Sequence, residues 1–519
     1  MNLAALDIGT NSFHLVVARP VAGSGFETIT REKEVVRLGS GGGDMKLLTP
    51  EAIDRGVACL TRMRGIAESH NAVMRAVATS ATREAVNSRD FIERAAAEAG
   101  VEIDVISGLE EARLIHLGVL QAVPVFDRRL LLIDVGGGST ELLIGECGET
   151  LAARSFKLGA VRLTDRYFPD GDVTPKAVRA CRSYIRGVVE HFSRDVTRFG
   201  FEVAISSSGT AETVARMVHA TRGSSAFEPL RTYNCFEFAT TELDAVVDRL
   251  TEHRTASARA KLDGLESTRA DIIVAGALIL ATVAETFGID TYTFSEAALR
   301  EGVLLDTMNR IEGDDRPGAA ALHHLRDVSR RSINQLVERC DEDPAHSRHV
   351  AGLAVSLFDE LTELHDLTGR PREYLEAAAL LANVGLVIAH SKHHLHAYYI
   401  IRNSELAGLT DGEIELIAQI ARYHRKSEPK ASHQAFAALD ADQQRLVRSL
   451  AGVLRVAIGL DRRHEGRVLG ATVDRAGPDG PLRVLVKSDE DVSLEIFAAD
   501  ERKGLLEQVV GRAIEIAPA

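Results

Sequence analysis

Two stretches of this chain carry the same pattern, and that duplication restricts the folds open to it. LAALDIGTNSFHLVV (Leu3–Val17) and LLLIDVGGGSTELLI (Leu130–Ile144) align without a gap, 127 positions apart. Each runs from apolar residues into Asp-x-Gly, through a polar turn ending in Ser, and back to apolar residues. Asp7 thereby matches Asp134, Gly9 matches Gly136 and Ser12 matches Ser139. Apolar runs broken by glycine turns predict a β-hairpin in each copy. A glycine turn leaves backbone N–H groups pointing outward, a nest for anions and above all for phosphate. With an Asp beside each nest to hold a metal ion or a water, the two turns read as opposite walls of one phosphate site.

At 519 residues the chain exceeds a single core, so three or four domains are expected. A net charge of −14 counts against general nucleic-acid binding but leaves room for a locally positive site. Cys59, Cys147, Cys181, Cys235 and Cys340 form no CxxC pair and read as reduced thiols of a cytoplasmic protein. The chain enters its first strand at once, without the pattern of a signal peptide. The longest apolar run, Ile272–Ala284, is too short to span a bilayer and is expected to be a buried helix. Mixed strands and helices up to Asp306 imply an α/β protein with a cleft between duplicated halves. From about 315 to 465 the pattern is helical and rich in His and Arg. Strands are expected again in RVLGATVD, LRVLVKS and VSLEIFA, before a last helix over Glu501–Ile514. The domains read as 1–125, 126–308, 309–465 and 466–519.

The P-loop and the dinucleotide GxGxxG are both absent, and GSGGGD (Gly39–Asp44) lacks the Lys-Ser/Thr that a P-loop requires. DVGGGST is the strongest phosphate candidate, through Gly136, Gly137, Gly138 and Ser139, because consecutive glycines in a β-context suit close approach of ligand to backbone. Asp7, Gly9, Thr10, Asn11 and Ser12 form the opposing loop. SSSGT adds a third glycine turn with Ser208, Gly209 and Thr210. Glu141 is placed to join Asp134 in holding Mg²⁺ and its waters, or is a solvated strand residue. In SGLEEARLI, Ser107 and Glu110 form a capping box. Glu111 falls outside that explanation: it is either a base for an attacking water or a helix-start carboxylate favoured by the dipole. Arg83 in TSATREA either meets a transferring phosphoryl group or is a surface arginine.

DIGTNSFHLVV, RAVATSATREAVN, ISGLEEARLIHLGV, LLIDVGGGSTELLIG, SFKLGAVRLT, SSGTAETVA and SEAALREGVLLD occur in one order over about the first 305 residues. In this the chain resembles the exopolyphosphatase / guanosine pentaphosphate phosphohydrolase family. The resemblance implies duplicated actin/Hsp70/sugar-kinase-like (ribonuclease H-like) domains flanking a cleft, and Mg²⁺-dependent release of a terminal phosphate. It implies Glu111 as catalytic base, Asp134 and Glu141 as the acids that hold metal and water, and Arg83 as a phosphate contact. It assigns the glycine turns to the phosphate loops.

The second half resembles the helical extension of the family's long members, an all-α HD-like domain, followed by a small α/β C-terminal domain. Ala382-Asn383 stands where a metal-binding His-Asp pair is expected, so no second hydrolase centre is expected beside His346 or His424. His390, Lys392, His393, Arg422, His424, Arg425 and Lys426 read as a basic wall for a polyanion, or as ordinary basic residues of a helical bundle. With His394 and His396, the histidines also have helical spacing for zinc, though no acidic or Cys companion lies nearby. The expected protein is a cytoplasmic, Mg²⁺-dependent exopolyphosphatase acting on inorganic polyphosphate, a homodimer by resemblance. Guanosine pentaphosphate hydrolysis is the alternative, and a weakly catalytic alarmone or polyphosphate sensor a further one.

Overall fold

The computed structural model describes all residues except 22–24, 41–44, 224–226, 313–327, 362–366, 368–369, 405, 407–408 and 476–479. Most of GSGGGD, and much of the expected boundary near 308–315, therefore lie outside the described residues. The chain divides into two compact units, Met1–Val328 and Ser329–Ala519.

The first unit contains two lobes. The first lobe runs β1 (Asn2–Ile8), β2 (Ser12–Val21), β3 (Gly25–Val35), α1 (Pro50–Ser69), β4 (Ala72–Ala78), α2 (Ser80–Glu84), α3 (Ser88–Arg94), β5 (Ile103–Val105) and α4 (Gly108–Ala122). The second runs β6 (Leu130–Val135), β7 (Thr140–Glu146), β8 (Glu149–Phe156), α5 (Ala160–Tyr167), α6 (Pro175–Val189), α7 (Ser193–Phe199), β9 (Val203–Ser207) and α8 (Ser208–Arg222). It continues through β10 (Glu237–Ala239), α9 (Thr240–Glu252), α10 (Ala256–Arg259), α11 (Ile273–Phe287), β11 (Thr291–Phe294) and α12 (Leu299–Glu312). The sheets have strand orders β3-β2-β1-β4-β5 and β8-β7-β6-β9-β11-β10. In each, a three-strand antiparallel meander continues into parallel strands, and the second sheet adds antiparallel β10 at its edge. The repeat in sequence is thus a repeat in topology, the paired ribonuclease H-like arrangement of the actin and sugar-kinase fold. Strand periodicity explains why both faces of β1 are apolar: Leu3 and Ala5 enter one core, and Ala4, Leu6 and Ile8 enter another. Helix α11 is buried along its length, and no described helix is long and apolar enough to cross a membrane.

Two helices are exchanged between the lobes. Helix α4 follows the first sheet yet packs on β7 and β8, and α12 follows the second sheet yet packs on β1 and β2. They cross at Gly118 and Gly302. A Cβ on Gly118 would lie 1.9 Å from the Ala298 carbonyl oxygen, and one on Gly302 would lie 1.8 Å from that of Leu114. Asp306 on α12 ties the crossing together through Arg113 (2.7 Å) on α4 and Arg75 (2.6 Å) on β4. A boundary at 308 therefore cuts through α12, the helix that crosses α4 and packs on the first sheet.

In the second unit, helices Val328–Cys340, Pro344–Glu360, Arg370–Leu381, His393–Asn403, Asp411–Arg422 and Ala441–Gly459 pack around one core. The sheet β12 (Gly470–Arg475), β13 (Leu482–Lys487) and β14 (Ile514–Pro518) contributes Val484, Val486 and Ile514 to that same core, so residues 466–519 do not have a core of their own. Two elements differ from the sequence reading. VSLEIFA becomes a helix, Ser493–Asp500, because Glu495 is buried against Arg463 (2.6 Å) at helical spacing from Ala498 and Ala499. The last helix stops at Val510, where Gly511 takes a left-handed conformation (φ 69°), and Ile514–Pro518 becomes β14 beside β13. His346 is not alone: its Nδ1 lies 2.8 Å from Asp461, both buried, and the His464 ring stacks on it at 3.5 Å.

Gly302→Ala should destabilise the first unit by about 1–3 kcal/mol, because the added methyl meets backbone that cannot step aside. Urea unfolding checks this, and an unchanged midpoint would mean that the crossing relaxes freely.

Candidate active site

The two hairpin turns have the same internal bonding. Gly9 N–H donates to the Ser12 carbonyl (3.2 Å), and Gly136 N–H donates to that of Ser139 (2.9 Å). Each turn also places an acid opposite a second polar group across the hairpin, Asp7 opposite His14 and Asp134 opposite Glu141. In the first turn Ser12 Oγ lies 2.7 Å from His14 Nε2, and in the second Ser139 acts to favour the ionised form of Glu141. His14 therefore stands at the position that Glu141 occupies in the second copy. The gapless alignment carried this correspondence, although the sequence reading did not single out His14.

Helix α5 orients the glycine loop. Ala160 N–H donates to Gly136 O (2.9 Å), Val161 and Arg162 N–H donate to Gly137 O (2.9 and 3.2 Å), and Arg162 Nε donates to Gly138 O (2.8 Å). In a trans peptide the C=O and the next N–H point in opposite directions. Turning these carbonyls toward α5 thus turns the N–H groups of Gly137, Gly138 and Ser139 away from it. Only glycine fits at 159, where a Cβ would sit 2.2 Å from the Gly137 carbonyl oxygen. The loop meets the first lobe directly: a Cβ on Gly138 would lie 2.5 Å from Ser80 Oγ and 2.7 Å from Thr10 Oγ1. Thr10 and Asn11 face Gly137 in the same way. The turns touch, and the space for a ligand opens beside them, in a cavity of about 340 Å³ bounded by Arg83, Glu84, Ser139, Ser155 and Lys157.

A row of acids lies behind this cavity. Glu111, Asp134 and Glu141 are buried and Asp7 is half-buried. Burial, and then the charge of Glu141, holds Glu111 well above the usual carboxylate range, against the opposing pull of Arg83 at 3.0 Å. Burial pushes Glu141 up to about 7, with Asp134 adding to the rise and the Ser155 hydrogen bond, with Ser139, resisting it. Asp134 is raised to about 6 by burial, opposed by its short hydrogen bond from Ser207. Asp7 is raised to about 7 by burial, opposed by Arg300 and reinforced by Asp134 and Glu301. Like charges opposed across a hairpin are destabilising, so Asp134 beside Glu141 costs stability in the fold alone.

That arrangement suits a divalent cation. Glu141 Oε1 accepts from Ser155 (2.7 Å), whereas Glu141 Oε2 is buried without a hydrogen-bond partner. Among the described residues no three His, Cys, Asp or Glu side chains converge into a ready cage. Mg²⁺ needs none, since it keeps several waters and takes one or two carboxylates. Asp134 and Glu141 are the residues that fit it.

The sequence reading missed several cations. Arg162 is buried at the loop. Arg269 is also buried, its guanidinium so close over Gly209 that a Cβ there would lie 1.8 Å from Nη2. Arg300, Lys33 and Arg269 reinforce the effect of burial in holding His14 well below its usual range. Arg300 lies within SEAALREGVLLD and was visible there, but the approach of Arg269 to Gly209 is a tertiary fact. The SSSGT turn is also corrected in part. Ser208 Oγ (2.8 Å) and Thr210 Oγ1 (3.2 Å) donate to the Val135 carbonyl, so these hydroxyls brace β6, with Ser208 held at φ 82°. The Ser107–Glu110 box is half-formed as seen: Ser107 Oγ accepts from Glu110 N–H, while the Glu110 carboxylate pairs with Arg113.

The basic wall of the second unit is corrected for its histidines. His393 and His424 are buried with their Nε2 atoms 3.2 Å apart, and Arg425 lies 3.1 Å from the His393 ring. Burial lowers His393, and brings His394 to about 4 and His424 to about 3, so they are neutral and offer no charge to a polyanion. Arg422 stacks on Tyr398 and Tyr423. His390, Lys392 and Lys426 remain exposed.

The sequence matches the model of the Ppx/GppA phosphatase family over residues 16–311, and that of Ppx/GppA phosphatase, domain III, over 328–489. It is 31% identical over 427 residues to a guanosine-5'-triphosphate,3'-diphosphate pyrophosphatase of Photobacterium profundum, covering 82% of this chain and 80% of that one. To the protein of the same description from Pseudoalteromonas translucida it is 30% identical over 473 residues, covering 90% and 88%. Among solved structures it is similar to an exopolyphosphatase from Cytophaga hutchinsonii, with 30% identity and a TM-score of 0.55 over 60% of this chain and 98% of that one. A Ppx/GppA family member from Aquifex aeolicus is similar at 25% identity and a TM-score of 0.51, with the same coverages.

The raised carboxyls predict a pH dependence. Folding lifts them above their unfolded range, so the stability they contribute is fully present below about pH 4 and is lost as pH rises through about 6 to 7. In chelator, Glu141→Gln should flatten that decline and raise the melting temperature at about pH 8. A lower melting temperature there would show that the contacts of the carboxylate outweigh its burial.

Proposed function

The chain belongs to the Ppx/GppA phosphatase family, and from that we propose that it releases a terminal phosphate from a phosphoanhydride chain by water attack between its lobes. The observation that carries this reading is the buried row Glu111–Glu141–Asp134 behind a cavity whose wall includes Arg83 and Ser139. Phosphoryl transfer asks for positioning and charge neutralisation more than for covalent chemistry. Glu111 accepts the proton of the attacking water, and burial, which raises its proton affinity above that of an ordinary carboxylate, favours that role. Arg83, which donates to the Ile106 carbonyl (2.9 Å) as well as to Glu111, is fixed in place to steady both the base and a phosphoryl oxygen. The loop N–H groups of Gly137, Gly138 and Ser139 orient the chain. Asp134 and Glu141 would hold Mg²⁺, which when bound neutralises charge on phosphoryl oxygens.

For the substrate we retain inorganic polyphosphate as the first reading, in keeping with the exopolyphosphatase among similar structures. Guanosine pentaphosphate is the second, favoured by the two relatives that match over most of their length. Phosphate release from purified protein with Mg²⁺, compared between long-chain polyphosphate and guanosine pentaphosphate, assigns the substrate to whichever has the higher kcat/KM. Glu111→Gln should lower kcat by about 100-fold or more while leaving binding intact. Retention of half the activity would remove Glu111 from the mechanism.

A further inference from the structure

One acid lies among the cations that line the cavity. The Glu84 carboxylate, on α2 of the first lobe, is held by Lys157 Nζ at 2.6 Å and Arg162 Nη2 at 2.9 Å, both from the second lobe. Ser80 Oγ donates to it at 3.1 Å. An ammonium, a guanidinium and a hydroxyl around one anion form the donor set that recognises a phosphoryl group. Arg162 cannot swing away: its side chain is 3% exposed and its Nε is tied to the Gly138 carbonyl of the glycine loop. Lys157 is 70% exposed at the rim, free to exchange one anion for another. Glu84 and Lys157 both line the cavity with Arg83 and Ser139. The contact also spans the lobes, beside the place where Thr10 and Ser80 press on Gly138.

We propose that Glu84 is an internal competitor for the phosphate chain. With the lobes closed, its carboxylate occupies Lys157 and Arg162, and an entering phosphate anion takes those two cations in its place. The inference rests on the phosphate-chain reading above and adds a gate to it. Its physical basis is that a carboxylate and a phosphate cannot share one small cation pair without mutual repulsion. Displacement of Glu84 undoes one ionic tie between the lobes, so entry of the chain and loosening of the closed contact become one event. The buried Arg162 is the partner that matters most, since a pair with one partner as exposed as Lys157 contributes little by itself.

The test is equilibrium binding of inorganic tripolyphosphate to the full chain by calorimetry in chelator, where no turnover is needed. Glu84→Gln, which keeps the shape and the capacity to accept from Ser80, should bind tripolyphosphate roughly 5- to 10-fold more tightly than the native chain, the size of an ordinary coupling between two ligands of one site. Lys157→Gln should weaken binding and, combined with Glu84→Gln, remove part of that gain. Unchanged or weaker binding by folded Glu84→Gln overturns the gate and leaves the phosphate-chain reading standing. If Glu84→Gln does not fold, Lys157→Gln alone decides: undiminished affinity for tripolyphosphate means that Lys157 does not pass from Glu84 to the ligand, and the proposal fails. If the native chain and Glu84→Gln both ignore tripolyphosphate, the gate is overturned, and the phosphate-release assay separately judges the broader reading.

Discussion

The crossing of α4 and α12 at Gly118 and Gly302 is the constraint on which the rest of the first unit depends. At these positions a side chain would collide with backbone of the other helix. Because each helix packs on the sheet of the opposite lobe, the crossing sets how the two glycine turns meet. It also places Glu111, in the first turn of α4, near Glu141 on β7 of the other lobe. Neither lobe holds the whole row of acids, so the row depends on this shared element.

That row is costly to the fold. Asp134 and Glu141 face each other across a hairpin, and each is raised by burial, so their pairing is an electrostatic cost that packing does not explain. Glu141 Oε2 adds to that cost, being buried without a hydrogen-bond partner. The opposite sign prevails around His14, where Lys33, Arg269 and Arg300 gather. The cleft therefore carries both signs of charge, with the buried acids on one part of it and Arg83 and Lys157 lining its cavity.

The second unit, matched by domain III of the family, packs several of its histidines into the fold. His346 pairs with Asp461, and His393, His394 and His424 are packed together and held below the usual histidine range by burial. Its small sheet completes the core of the helices, so these segments work as one body.

Local pattern alone made much of this legible. The gapless repeat announced two equivalent hairpins and their turns, because strand alternation and glycine turns are written over a few adjacent residues. The same locality exposed Glu111 beside its capping serine, the GGG loop and the long apolar helix α11. Other features depend on residues far apart in sequence, and only the folded chain set them. VSLEIFA has strand-like composition, yet it became helical because Arg463 stabilises a buried Glu495. Basic spacing suggested a wall at His393 and His424, yet packing buried and neutralised them. Arg269 over Gly209, the carbonyls of Gly136 and Gly137 turned into α5, and Glu84 between Lys157 and Arg162 join positions tens of residues apart. Short-range patterning dictates most of the elements, whereas burial, charge and the pairing of distant groups, which also decided VSLEIFA, arise only when the chain folds on itself.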